Sequence, residues 1–209
     1  PTLKPTGAFG LVGSGNNGAD TLVALETLAH HGWPVAACLV RSRIPEDPLV
    51  ARLQAAGGVV WSLSSEPSWA QLHDQLTTKA VLLDGILGTG LRLPMKEDLA
   101  EFLNQVRIIL AKCLKPPQVV AVDCPSGIDC DSGQAAADVI PAQLTVTMAA
   151  VKQGLLKFPA YSLVGRLVTI GIGLPEDGVG LPIWESLHNF IPQIGDIRNW
   201  LPERPLDAH

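Results

Sequence analysis

The sequence predicts an α/β protein built on a doubly wound, mostly parallel sheet with helices on both faces. Three observations predict it. Short apolar runs alternate with amphipathic ones from Ala8 to Leu83, the order that lays parallel strands side by side through right-handed crossovers. Apolar residues make up 47% of the 209 but aromatics only 5%, so the core must be Ala, Val, Leu and Ile, the palette of strands buried on both faces. A glycine-rich turn, Gly13-Ser14-Gly15-Asn16-Asn17-Gly18, separates the first strand from the first helix. The length suits one domain with a sizeable core and is too short for two of ordinary size.

The elements follow in order. Ala8 to Val12 reads as a buried strand, and Leu22, Leu25, Leu28 and Ala29 recur at helical spacing up to a stop at Gly32 and Pro34. Val35 to Val40 is the second strand, Glu46 to Ala56 a helix closed by Gly57-Gly58, Val59 to Leu63 the third strand, and Trp69 to Thr77 a more polar helix. Ala80 to Leu83 and Val119 to Val122 are all-apolar strands, with a long amphipathic helix from Lys96 to Leu114 between them. Leu144 to Thr147 and Arg166 to Ile172 complete the sheet, and Gly173-Leu174-Pro175 ends it. Residues 1–175 are therefore expected to form the domain. Residues 176–209, with one short helical stretch from Ile183 to Phe190 amid Gly and Pro, read as a C-terminal linker or docking arm.

Charge and composition exclude several classes. The formal net charge is −5 and Lys and Arg form no run, which disfavours nucleic acid and acidic membrane as partners. Cys38, Cys113, Cys124 and Cys130 lie in separate segments without a C-x-x-C pair, so they are read as small buried hydrophobes rather than zinc ligands or a redox dithiol. His30, His31 and His73 have no carboxylate or cysteine partner nearby in sequence and are read as surface or packing residues. No apolar stretch reaches membrane-spanning length and no signal peptide is evident. A cytoplasmic setting is expected. The chain opens at Pro1 and almost at once enters its first strand, which reads as the loss of something upstream.

Chemistry-bearing residues gather at the carboxyl ends of strands, where sheets of this kind bind ligands. The spacing Gly13-x-Gly15-x-x-Gly18 is that of a Rossmann-like unit, whose glycines admit a close ligand and whose helix N-terminus attracts phosphate. The second strand ends in Arg41-Ser42-Arg43 where an acidic residue would bind a ribose. These arginines suit either a 2′-phosphate or plain solvation. Asn16 and Asn17 offer carboxamides to a hard monovalent cation or a sugar hydroxyl, or else serve turn geometry alone. Asp84 and Asp123 each follow an apolar strand and need a cation, a donor or a ligand unless they cap a helix. Lys152, past the sixth strand, reaches the same cleft or is solvated.

Four ordered motifs carry a resemblance over nearly the whole chain. Gly13 to Asp20, Leu83-Asp84-Gly85-Ile86-Leu87-Gly88-Thr89-Gly90, Val122-Asp123-Cys124-Pro125-Ser126-Gly127-Ile128-Asp129, and Thr145-Val146-Thr147 leading to Lys152 resemble the YjeF N-terminal family, the NAD(P)H-hydrate epimerases. The resemblance implies a substrate, the hydrated cofactors (6R)- and (6S)-NAD(P)HX, interconverted so that an S-specific dehydratase can restore NAD(P)H. It implies potassium at Asn17, Asp84 and Ser126, and substrate contacts at Asn16, Asn17, Gly18, Ala19 and Asp20, at Gly88, Thr89, Gly90, Leu91, Arg92, Leu93 and Pro94, and at Asp123. The ending Trp200 to His209 is similar to the linker that, in bifunctional members, enters an ADP- or ATP-dependent dehydratase domain. A homo-oligomer is also expected.

The chemistry expected of Asp123 is general acid/base catalysis at C6, protonating the hydroxyl so that it leaves as water and guiding water back to the opposite face. Partial burial that raised its pKa would suit both steps. Lys152 is expected to stabilise that carboxylate or a phosphate. Two departures from the family pattern are visible. The family turn usually reads Gly-Asn-Asn-Gly-Gly-Asp-Gly, whereas Ala19 and Thr21 stand at its last two glycines. If either position needs positive φ, the strain is on the order of 1 kcal/mol; if both lie in the helix, Ala19 favours it. In either case a Cβ is expected to face the phosphate site. The helices that usually precede the first strand, covering the sheet and building the dimer, are missing, so one sheet face is expected to be bare. Two other readings compete: a catalytically silent binding or scaffold module of the same fold, and a hydride-transferring dehydrogenase, which lacks the second domain it would need.

Overall fold

In the computed structural model, which describes residues 6–63 and 66–173, seven strands form one sheet in the order β3-β2-β1-β4-β5-β6-β7, and every neighbouring pair is parallel. The strands are β1 (Ala8–Val12), β2 (Val35–Leu39), β3 (Val59–Ser62), β4 (Val81–Gly85), β5 (Gln118–Val122), β6 (Leu144–Met148) and β7 (Arg166–Ile170). The helices are α1 (Asn16–His30), α2 (Pro48–Ala55), α3 (Glu66–Thr78) and α4 (Glu97–Lys112). This is the predicted Rossmann-like architecture, with bounds shifted by a few residues. Residues 174–209, including the expected arm and its helical stretch, lie outside the described residues.

The period-two alternation of each strand divides the core between two layers. Ala8, Val12, Val35, Ala37, Leu83 and Val122 face α1 and α2, packing on Leu22, Leu25 and Leu53. Phe9, Leu11, Ala36, Cys38, Leu82, Val119 and Ala121 face the other way, onto Leu72 and Leu76 of α3 and Leu99, Phe102, Leu103 and Val106 of α4. Helices therefore cover both faces, but only as far as β5. No helix longer than a 3₁₀ turn follows β5 or β6 among the described residues, and on the α1 side Val120, Val146, Met148 and Val168 are only half-buried. The opposite side of β6 and β7 is covered by a smaller core of Cys124, Ile128, Cys130, Val139, Leu155, Ala160 and Val164. That core ties the loop after β5 to the segment after β6. It thereby positions Asp123 relative to Lys152.

Local chemistry explains the helix ends. Gly32, at φ +79°, closes α1 in the left-handed region, its N–H bonding Ala29 O at 2.8 Å. Asp47 caps α2 through Oδ1 on Leu49 N at 2.9 Å, and Pro48 takes the first helical position, where no N–H is needed. Three of the cysteines are buried as expected. Cys38 lies wholly in the core, and burial pushes its thiol up to about 12. No described helix is long and apolar enough to cross a membrane.

Candidate active site

The parallel sheet places the turn after β1 and the loops after β4, β5 and β6 along one edge, and the strand order reverses between β1 and β4. A crevice is expected at such a reversal. Its floor is the turn from Gly13 to Asn16. None of Gly13, Gly15 and Gly18 has positive φ; close approach requires Gly13 and Gly18, while a Cβ on Gly15 would meet open space. A Cβ on Gly13 would stand 1.9 Å from Ile86 O, and one on Gly18 2.1 Å from Gly13 O. Glycine thus lets α1 begin directly against β1 and β4. Gly15 is the N-cap without a side-chain bond, and the first amide to find an acceptor is Ala19 N, on Gly15 O at 3.1 Å. The amides of Ser14 to Gly18 have no acceptor among the described residues and carry the positive end of a 15-residue helix.

Ala19 and Thr21 both lie inside α1 with ordinary helical φ, so neither is strained. The expectation that a Cβ at position 21 faces the phosphate site is corrected: Thr21 is wholly buried against the sheet. Its Oγ1 donates to Asn17 O at 2.8 Å and occupies the place where Gly85 would carry a Cβ, while its methyl lies over Gly10. Two strand glycines make room for one helix threonine.

Asn17, Asp84 and Ser126 converge around the backbone of Leu87. Asn17 Nδ2 donates to Leu87 O at 2.7 Å, and Leu87 N donates to Ser126 Oγ at 3.0 Å. Ser126 in turn donates from Oγ to Asp84 Oδ1 at 2.5 Å and from N to Asp84 Oδ2 at 2.8 Å. Asp84 is not beyond its strand but within β4, because it pairs with Leu11 and Ala121 and the ladder with β1 runs on to Gly85; it therefore caps no helix. Its side chain is fully buried, which pushes its pKa up against the lowering effect of the Ser126 bonds. Asn17 Oδ1 is also buried and has no hydrogen-bond partner. A lone carbonyl oxygen beside a buried carboxyl with only neutral partners is a donor set suited to a hard cation.

Asp123 and Lys152 form the second centre. Asp123 N bonds Val146 O at 2.8 Å, and Cys124 N turns back to Val122 O at 2.8 Å across an Asp123 φ of +65°. An i to i+2 bond with positive φ is the rarer, strained form of the γ-turn. The end of β6 repeats it, with Ala149 at φ +61° and Ala150 N on Met148 O at 2.7 Å. Asp123 Oδ1 accepts from Met148 N at 3.0 Å, from Thr147 Oγ1 at 3.3 Å and, in a very short contact, from Lys152 Nζ. Lys152 Nζ also donates to Thr147 Oγ1 and Met148 O, at 3.0 and 2.9 Å. Asp123 is thus partly buried, as expected, but in an ion pair with Lys152, whose side chain is held in the site instead of being solvated. Oδ2 takes no hydrogen bond among the described residues.

Asp20 lies one helical turn beyond Asn16 and near Asp123. Burial, and then the charge of Asp123, push its pKa up. Ionised Asp20 therefore opposes folding at neutral pH, and stability should rise as pH falls through its native pKa. Asp20→Asn is expected to raise the melting temperature at pH 7 and to shrink the difference from wild type at pH 4, as read by thermal denaturation. An unchanged melting temperature at pH 7 would refute the crowding of the two carboxyl groups.

The other expected contacts are less gathered. Gly88 adjoins the Asn17 side chain, Thr89 and Gly90 form an exposed turn, and Leu91 N closes on Gly88 O at 3.3 Å. Arg92 leaves the crevice to pair with Asp131 at 2.9 Å on the surface, and Leu93 precedes Pro94 through a cis peptide. Arg41 is taken by Asp98, and Arg43 by Asp47 and the glycine turn, so neither is simply solvated.

Fold and site together define a Rossmann-like protein with a glycine turn whose amides are open, a buried Asn17–Asp84–Ser126 cluster and a carboxylate–lysine pair along one sheet edge. A model of the YjeF-related protein N-terminus matches residues 7–154, and the chain belongs to that family. It is 37% identical over 185 residues to the NAD(P)H-hydrate epimerase of Clavibacter michiganensis, covering 84% of this chain and 77% of that one. It is 38% identical over 170 residues to the NAD(P)H-hydrate epimerase of Microbacterium testaceum, covering 81% of this chain and 63% of that one. The Bifunctional NAD(P)H-hydrate repair enzyme Nnr of Moorella thermoacetica is 30% identical over 203 residues, 94% of this chain but 36% of the relative. The crystal structure of yeast ynu0 (YNL200c) shares the fold, with a TM-score of 0.66 over 83% of this chain and 70% of that one at 23% identity.

Proposed function

We propose that the chain interconverts (6R)- and (6S)-NAD(P)HX, and that an ADP- or ATP-dependent NAD(P)H-hydrate dehydratase, fused or separate, completes the repair. The names of the epimerase relatives support the reaction, and the bifunctional relatives, of which the chain spans about a third, support the partner. The observation that carries the reading is Asp123, pinned through Oδ1 and unengaged at Oδ2 among the described residues, on the same sheet edge as the open amides of α1.

The pyrophosphate would lie on the amides of Ser14 to Gly18, with Asn16 to Asp20 and the Gly88 to Pro94 loop flanking it. Asp123 Oδ2 then addresses the C6 hydroxyl. A proton on Asp123 Oδ2 passes to that hydroxyl, which leaves as water with help from the ring nitrogen; water then adds to C6 from the other face and releases a proton that solvent returns to the Asp123 carboxylate. Such proton transfer is worth roughly a hundredfold or more in rate. Asn17 Oδ1, Asp84 and Ser126 would hold potassium, which when bound supplies the positive charge that the buried Asp84 carboxylate lacks. The test is turnover of the purified R epimer, followed by an S-specific dehydratase, with and without potassium. Turnover is expected. Tight dinucleotide binding without turnover would instead favour the silent module.

A further inference from the structure

We propose that Arg43 is a positioning residue for the pyrophosphate subsite, setting the direction of the glycine-turn amides from behind. The inference rests on the dinucleotide reading above for its ligand but on the turn's geometry for its mechanism. The Arg43 side chain is only 10% exposed. One of its terminal nitrogens donates to two carbonyls of the turn, Gly13 O at 2.7 Å and Gly15 O at 3.2 Å. Its Nε donates to Asp47 Oδ2 at 2.6 Å, and the other oxygen of that carboxylate caps α2. Asp47 is buried, which works against its charge, yet the Arg43 and Leu49 bonds hold its carboxyl below the usual range.

The consequence follows from the planar trans peptide, in which the C=O of one residue and the N–H of the next point in opposite directions. Holding Gly13 C=O turns Ser14 N–H away from Arg43, and holding Gly15 C=O does the same for Asn16 N–H. Those two amides are among the ones left without an acceptor. Arg43 thus grips the carbonyl side of two peptide planes whose amide side faces the anion. The Arg43 charge is balanced by Asp47, so its effect on the anion runs through the two peptide planes it holds. The chain from α2 through Asp47 and Arg43 to the turn makes the subsite preformed, so binding need not order it.

Arg43→Met removes the grip, and Asp47→Asn removes the neutralised anchor while keeping the guanidinium. With both epimers of NADPHX as substrate, Arg43→Met is expected to raise KM roughly tenfold, about 1.4 kcal/mol, with kcat within about twofold. Arg43→Lys and Asp47→Asn should fall between it and wild type. Calorimetric titration with ADP-ribose should show the same order of affinities. A folded Arg43→Met with unchanged KM, or one whose loss is confined to kcat, overturns the proposal. If Arg43→Met fails to melt cooperatively, the same comparison is made on Asp47→Asn, where unchanged KM and ADP-ribose affinity would overturn it. A wild type that binds ADP-ribose but turns over neither epimer would remove the epimerase reading alone, and weaker ADP-ribose binding by Arg43→Met would still uphold the subsite.

Discussion

Asp123→Asn is expected to lower kcat for NAD(P)HX epimerisation by at least about a hundredfold while leaving ADP-ribose affinity within about threefold. Asparagine is the informative replacement because it tolerates positive φ, so the γ-turn that presents the side chain survives. Its carboxamide oxygen can still accept from Met148 N and Lys152 Nζ, whose bonds to Oδ1 fix the group in place. What disappears is an oxygen able to take and return a proton. Lys152→Met should also reduce kcat, by removing the cation that holds Oδ1 in place. Wild-type turnover in Asp123→Asn would withdraw the acid/base role entirely.

Potassium should raise the melting temperature of the wild type progressively, and Asp84→Asn should abolish that dependence. An ion that binds only the folded chain stabilises it by RT ln(1 + [K+]/Kd), about 2.7 kcal/mol at a hundred times Kd. The wild type has most to gain because Asp84 is fully buried and its partners, Ser126 Oγ, Ser126 N and Ile86 N, are neutral. Asparagine keeps the shape but presents an amide group towards Ser126 N or Oγ, costing about 1–3 kcal/mol for a lost buried bond. In potassium-free buffer that cost is offset by removing an uncompensated charge, so the two proteins should differ least there. Asn17→Leu, which deletes the orphaned Oδ1, should flatten the potassium response as well. A melting temperature indifferent to potassium in the wild type would remove the ion from the reading, whatever the activity.

Much of this arrangement is legible in the chain, and the reasons differ by residue. The strands are visible because burial on both faces forces unbroken apolar runs, and Asp84 and Asp123 stand out because each interrupts one. Ser126 and Lys152 are visible only through motif resemblance, since a serine after proline and a lysine past a strand are common. The glycine turn is legible as a turn, but the sequence suggests positive φ or the approach of a ligand as its cause, whereas the structure shows contact between distant segments, Gly13 against Ile86. Thr21 looks like a loss at a family glycine because its compensation, Gly10 and Gly85, lies on two other elements. Arg43 is undecidable from its neighbours, because the carbonyls it grips lie about thirty residues earlier. The γ-turns at Asp123 and Ala149 leave little local signal: Asp is only modestly favoured in the left-handed region, and Ala is not favoured there.

Those twin kinks set a limit on how this protein can be improved. Holding a residue with a Cβ at φ +65° costs the fold free energy that glycine would not, so position 123 is a place where selection for endurance and selection for turnover pull apart. A lineage relieved of its catalytic duty would be free to relax there first. A glycine at that strand end in a related sequence would then be the mark of a scaffold that has retired from chemistry.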